Sequence, residues 1–203
     1  MALADVSGDG RADYLVVDPT SGSVTAWLNN GGEQGGGGWI YLGKVAAGAA
    51  PGEFVRFTDL NGDGHADYLV LDRDTGAVTA WLNNGMDLPG GGGWIPQGKV
   101  ALGAAPARNV VFADINKDNR ADYLIVDHLT GRLSAWLNNG MDVPGGNGWA
   151  DLGLISYGAG SSDGDVGRMF ADINADGAAD YLMVLNNSGQ TYGWLNNGGV
   201  PAP

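Results

Sequence analysis

Four short segments gather most of the chemistry this chain can do. They read Asp5-Val6-Ser7-Gly8-Asp9-Gly10-Arg11-Ala12-Asp13, Asp59-Leu60-Asn61-Gly62-Asp63-Gly64-His65-Ala66-Asp67, Asp114-Ile115-Asn116-Lys117-Asp118-Asn119-Arg120-Ala121-Asp122 and Asp172-Ile173-Asn174-Ala175-Asp176-Gly177-Ala178-Ala179-Asp180. Oxygen-bearing side chains fall at positions 1, 3, 5 and 9 of every copy. Position 6 is Gly three times and Asn once, residues that enter the left-handed region cheaply and let the backbone fold back on itself. The carbonyl of position 7 (Arg11, His65, Arg120 or Ala178) then joins the same centre. Such a set of hard oxygen ligands suits calcium, which tolerates irregular geometry better than magnesium does. The expectation is one calcium ion per loop, four per chain.

Two other readings bear on these loops. An EF-hand needs a bidentate Glu at position 12 and flanking helices; position 12 here is Val16, Val70, Ile125 or Met183. A set of Asx-turns closing a tight β-connection, with no metal, explains the same residue types. Against it stands the repulsion among three carboxylates in nine residues, which a cation would neutralise. The third loop is expected to bind most weakly, because Asn119 replaces Gly and Lys117 adds a positive charge.

The elements that must hold these loops repeat with them. The leading Asp residues, Asp5, Asp59, Asp114 and Asp172, are 54, 55 and 58 residues apart, giving repeats at about 1–54, 55–109, 110–167 and 168–203. Each repeat predicts four short strands. The first precedes the acidic loop (Val55-Arg56-Phe57 in the second copy), and the second follows it as a near-continuous apolar run such as Tyr14-Leu15-Val16-Val17. A Gly-bearing turn leads to a third strand ending in Trp-Leu-Asn-Asn-Gly, and Trp39, Trp94 or Trp149 opens a fourth. Pro96 marks that fourth strand as an edge. The last copy has no fourth strand. Four antiparallel strands per unit, without helix, predict an all-β fold: the blades of a β-propeller in a single domain, 1–203.

Composition narrows the function classes. Of 203 residues 37 are Gly, and 23 acidic against 10 basic residues give a net charge of −13. That balance lacks the basic face nucleic acid requires. No apolar run approaches a membrane span, and no signal-peptide pattern opens the chain. With no Cys there are no disulfides or thiolate sites. The two His residues, His65 and His128, occupy unrelated repeat positions, and no nucleophile motif accompanies them, so the expectation is a protein without catalysis.

The motif Asp-x-Asn-Gly-Asp-Gly-x-x-Asp, followed by an apolar strand and a later Leu-Asn-Asn-Gly, resembles the FG-GAP/VCBS repeats of integrin-type propellers over essentially the whole chain. The resemblance implies calcium in the acidic loop, rings of about seven blades, and kinship with fungal propeller lectins and with modules appended to secreted hydrolases. It therefore implies a secreted calcium-binding lectin or carbohydrate-binding module. The alternative is a calcium-stabilised protein-interaction scaffold or an accessory domain of a larger hydrolase. Trp39, Trp94 and Trp149, which follow Gly-rich loops such as Gly35–Gly38, are the candidate sugar platforms. Trp27, Trp81, Trp136 and Trp194 are expected to pack between blades, and the Asn pairs, such as Asn83-Asn84, to end the third strand in a turn. The insertion Tyr157–Asp165 is the main departure among repeats and is read as a surface loop. Four repeats make about half a large ring, so pairing of two chains to complete one is a further expectation.

Overall fold

The computed structural model describes residues 1–32, 37–158 and 166–198. Half of the Gly35–Gly38 loop and most of the Tyr157–Asp165 insertion lie outside the described residues. The chain forms four antiparallel sheets, the blades of a β-propeller. The first blade comprises β1 (Ala2–Ala4), β2 (Asp13–Val17), β3 (Val24–Gly32) and β4 (Gly38–Ala46). The second holds β5 (Val55–Thr58), β6 (Asp67–Leu71), β7 (Val78–Met86) and β8 (Gly93–Ala101). The third holds β9 (Val110–Ala113), β10 (Asp122–Val126), β11 (Leu133–Met141) and β12 (Gly148–Ser156). Among the described residues the fourth has three strands, β13 (Val166–Ala171), β14 (Asp180–Leu185) and β15 (Thr191–Trp194), with β15 at its edge. Strand order follows sequence order in every sheet.

The apolar run Tyr68-Leu69-Val70-Leu71 is buried on both faces because β6 lies between β5 and β7 within the sheet while neighbouring blades cover it. Leu15, Leu69 and Leu124, one in each of the first three blades, are fully enclosed. The fourth strands carry the edge: Ile95 and Pro96 are exposed in β8. The hairpin between second and third strands is fixed by an Asp. Asp72 Oδ1 accepts the N–H groups of Asp74 (3.1 Å) and Thr75 (2.9 Å), and Gly76 follows at φ 68°. A Cβ on Gly76 would run into the Ala105 carbonyl, so only glycine fits this left-handed, crowded position.

Two expectations are corrected. The chain is not wholly without helix: single 3-10 turns at Gly52–Phe54 and Ala107–Asn109, each after a Pro, lead into the next blade. Nor do the Asn pairs end the third strands of the first three blades, although β15 stops at Trp194, before Asn196-Asn197. β7 runs on through Asn83-Asn84-Gly85 to Met86, with a register shift between Asn83 and Met86 and left-handed backbone at Gly85 and Met86. That is a bulge, not a terminating turn.

Candidate metal centre

All four acidic loops fold alike, around the Asp at position 1. In the second loop, Asp59 Oδ1 accepts the Gly62 N–H at 2.7 Å and Oδ2 accepts the Gly64 N–H at 2.8 Å. Asp5 holds Gly8 and Gly10 in the same way, and Asp114 holds Lys117 and Asn119. Positions 3 and 5 then meet: Asn61 Nδ2 donates to Asp63 Oδ2 at 2.9 Å, and the same pair forms in loops three and four. The position-5 carboxylate also accepts the N–H of position 7, as Asp63 does from His65. Backbone at position 6 is left-handed throughout, and so is position 4: Gly8, Gly62, Lys117 and Ala175. Sequence reasoning missed position 4, because Lys117 and Ala175 give no sign that φ must be positive there.

Position 9 does something different. Asp67 is 0% exposed, and its two oxygens accept the N–H groups of Leu60 (2.9 Å) and Asn83 (2.8 Å). Asp13, Asp122 and Asp180 repeat both bonds, to Val6 and Asn29, Ile115 and Asn138, and Ile173 and Asn196. This carboxylate ties the loop to the third strand of its own sheet. Burial pushes Asp67 up to about 7 and Asp122 up to about 6, overriding the lowering effect of those N–H donors. The charges of Asp63 and Asp59 raise Asp67 further, and those of Asp118 and Asp114 raise Asp122.

The donor set of each loop fits a hard divalent cation in kind: carboxylates, amide or hydroxyl oxygens and a backbone carbonyl. Its geometry is set by hydrogen bonds instead. Among the described residues no three carboxylate or imidazole side chains are gathered as a metal ion would require. The third and fourth loops also touch. Lys117 Nζ stands 3.2 Å from Asp176 Oδ1, so the lysine's charge bears on the neighbouring loop. The Ala178 N–H, with help from Asn174 and Lys117, holds Asp176 below the usual carboxylate range. A polar cleft of about 470 Å3 separates loops two and three and is lined by Asp59, Asp63, Asp114 and Asn119.

The first Asn of each pair was missed as a structural clasp. Asn83 Nδ2 donates to Val6 O of the preceding blade at 2.9 Å and to Ala66 O at 3.2 Å. Asn138 reaches Leu60 O, and Asn196 reaches Ile115 O, in the same way. A signal was present: this Asn stands 16 residues after the position-9 Asp in all four copies, although repeat length varies. Backbone bonds run beside it, from Ala66 N–H to Asp5 O, Ala121 to Asp59 and Ala179 to Asp114.

Of the three candidate sugar platforms, two lie between blades. Trp94 Nε1 donates to Val45 O and Trp149 Nε1 to Val100 O, both at 2.7 Å, and each ring packs edge-on against Tyr68 or Tyr123. Trp39 occupies the same place in the first blade, where among the described residues no blade packs in front of it, and is 40% exposed beside exposed Ile40 and Tyr41. Trp81 and Trp136 pack against the inter-blade cores, as expected for the third strand, whereas Trp194 is 43% exposed.

A family profile described as the FG-GAP-like repeat matches residues 5–70 and 59–125. Compared with curated protein sequences, the chain has no match. Among solved structures it is similar to an Agrocybe aegerita lectin described as specifically recognising non-reducing terminal N-acetylglucosamine. The identity is 23% and the TM-score 0.58, with 97% of this chain and 48% of the lectin covered. It is also similar to a chain of the Photorhabdus luminescens Tc holotoxin pore, at 23% identity and TM-score 0.56, covering 93% of this chain and 8% of the toxin chain. The chain thus spans about half the lectin and under a tenth of the toxin component.

Proposed function

The chain belongs to the family of FG-GAP-like repeats, and from that premise we propose that it is a secreted, non-catalytic calcium-binding propeller that recognises carbohydrate. The observation that carries the calcium reading is the fourfold recurrence of one loop shape around Asp at positions 1, 5 and 9. Lys117, Asn119 and Ala175 take left-handed backbone to keep that shape, at a cost glycine would avoid. Asp5, Asp9 and Asp13, with Ser7 and the Arg11 carbonyl, would hold the first ion; the other loops would use the equivalent residues. Binding would require position 9 to exchange one of its N–H partners for the metal. The ion would supply charge neutralisation, not chemistry on a substrate.

The carbohydrate reading rests on the lectin likeness along nearly the whole chain and on polar ground suited to hydroxyl groups. Asp59, Asp63, Asp114 and Asn119 offer acceptors in the cleft between loops two and three. Trp39, 40% exposed, is the most open of the three candidate platforms. The toxin likeness favours a second reading, a propeller serving as a scaffold within a much larger protein. A glycan array and calorimetry with N-acetylglucosamine, with and without a chelator, separate the two. Calcium-dependent glycan binding supports the first reading; no binding by a folded, calcium-loaded chain supports the second.

A further inference from the structure

Consecutive acidic loops touch across each blade boundary, and the backbone holds their spacing constant. The position-8 N–H of the later loop donates to the position-1 carbonyl of the earlier one: Ala66 to Asp5 at 2.7 Å, Ala121 to Asp59 at 2.8 Å and Ala179 to Asp114 at 2.7 Å. What fills the space beside that bond differs. At the first boundary the half-buried His65, position 7 of the second loop, lies over Gly8, position 4 of the first. A Cβ on Gly8 would run into the His65 imidazole. At the second, Arg120 takes the same place over Gly62, its Cγ 3.4 Å from where a Cβ would stand. At the third the two sides are exchanged. Position 7 is Ala178, fully buried, and the long side chain comes from Lys117, position 4 of the earlier loop. Its aliphatic carbons lie 3.8–3.9 Å from where a Cβ on Gly177 would stand, and its Nζ reaches Asp176. Gly64, the equivalent of Gly177 at the first boundary, faces Gly8 and would meet nothing within 4 Å. Arg11 also stands at position 7, but among the described residues no loop lies in front of it. It is exposed and turns to its own Asp9 at 3.6 Å.

We propose that positions 4 and 7 determine which repeat can stand next to which. Each boundary holds one long side chain, supplied from either side, opposite a Gly or an Ala. The fixed backbone spacing has room for one such side chain. Two would overpack the boundary, and none would leave a void. A repeat with Gly at position 4 thus accepts a successor with His or Arg at position 7. A repeat with Lys at position 4 accepts a successor with Ala there. The same rule accounts for Lys117, whose left-handed backbone (φ 68°) is unfavourable for any residue with a Cβ. Its side chain fills the space that Ala178 leaves. Selection rests on shape, and so is independent of any bound ion.

Exchanged pairs test this by melting of the full chain, in chelator and again in excess calcium. Gly62→Lys sets a second long side chain against Arg120 and should lower the melting temperature by about 6 °C. Gly62→Ala brings the same left-handed strain with only a Cβ and should cost about half as much. Arg120→Ala alone should cost about 2 °C. Gly62→Lys with Arg120→Ala copies the third boundary and should melt about 4 °C above Gly62→Lys alone, a recovery that independent sites do not give. If Gly62→Lys does not fold, recovery of a folded chain on adding Arg120→Ala answers the same question. The mirror swap copies the second boundary: Ala178→Arg with Lys117→Gly should melt well above Ala178→Arg alone. Losses that simply add at either boundary, or a double variant that stays unfolded, overturn the proposal. Equal losses from Gly62→Lys and Gly62→Ala do so as well, since backbone strain would then be the whole effect.

Discussion

The second and fourth blades share one motif and differ in how fully it is enclosed. Both have an acidic loop, a buried position-9 Asp that bonds two backbone N–H groups, and an Asn clasp on the blade before. Yet loop position 2 is Leu60, 0% exposed, in the second blade and Ile173, 52% exposed, in the fourth. The second blade has neighbours on both sides and a fourth strand; the fourth blade has a neighbour on one side and three described strands. The hydrogen bonds are therefore a property of the repeat, whereas the burial that makes them costly to lose belongs to its neighbours.

The largest test of that distinction is calcium. If each loop takes an ion, chelation should lower the melting temperature by at least ~10 °C, with hydrogen exchange showing the fourth blade opening first. An unmoved melting curve and no metal by elemental analysis would remove calcium from the account. Next come the position-9 carboxylates. Asp67→Ala orphans two buried N–H groups and should cost ~3–5 kcal/mol, while Asp180→Ala should cost only ~1–2, because water reaches Ile173 and Asn196. Equal losses in urea unfolding would mean the enclosure by neighbours does not matter. Trp94→Ala should cost ~3 kcal/mol through lost packing and its bond to Val45 O. At open Trp39 the same change should cost under ~1 kcal/mol.

Two smaller effects sharpen the comparison. Asp67 and Asp122 bind protons more tightly folded than unfolded, so the stability they contribute is present below pH ~4 and lost as pH rises through about 6 to 7. In chelator, the melting temperature should therefore rise as pH is lowered from 8 to 5. Excess calcium should flatten or reverse that trend, since it favours the ionised carboxylates. Last, Lys117→Ala should tighten calcium in the fourth loop by a few-fold, because the ammonium leaves Asp176. A titration in which only the third loop responds would place the lysine's effect where its sequence position suggests.

Much of this was legible in the residues. The strands followed from apolar runs bounded by glycine, and the edge strand from Pro96. Loop positions 3 and 5 meet side chain to side chain in loops two to four, while position 1 is taken up by backbone N–H groups. What the sequence concealed was tertiary. Asp67 looks like a loop ligand beside Asp63, but its neighbours in space are β7 and the interior, so it is held by backbone donors. Asn83 sits in an Asn-Gly pair that reads as a turn, yet its amide reaches Val6, 77 residues away. Trp94 and Trp39 look alike in sequence and differ only in whether a blade stands in front of them.

The clasp between blades has a direction. Asn83, Trp94 and the Ala66 N–H all belong to the later repeat and all donate; their acceptors, carbonyls of Val6, Val45 and Asp5, all belong to the earlier one. Each of the first three units thus carries a hook on one side and an eye on the other, coded within its own stretch of sequence. A tandem duplication of any of these three would reproduce both halves of the joint without a compensating change elsewhere. A repeat array built this way can grow by simple copying errors in its gene.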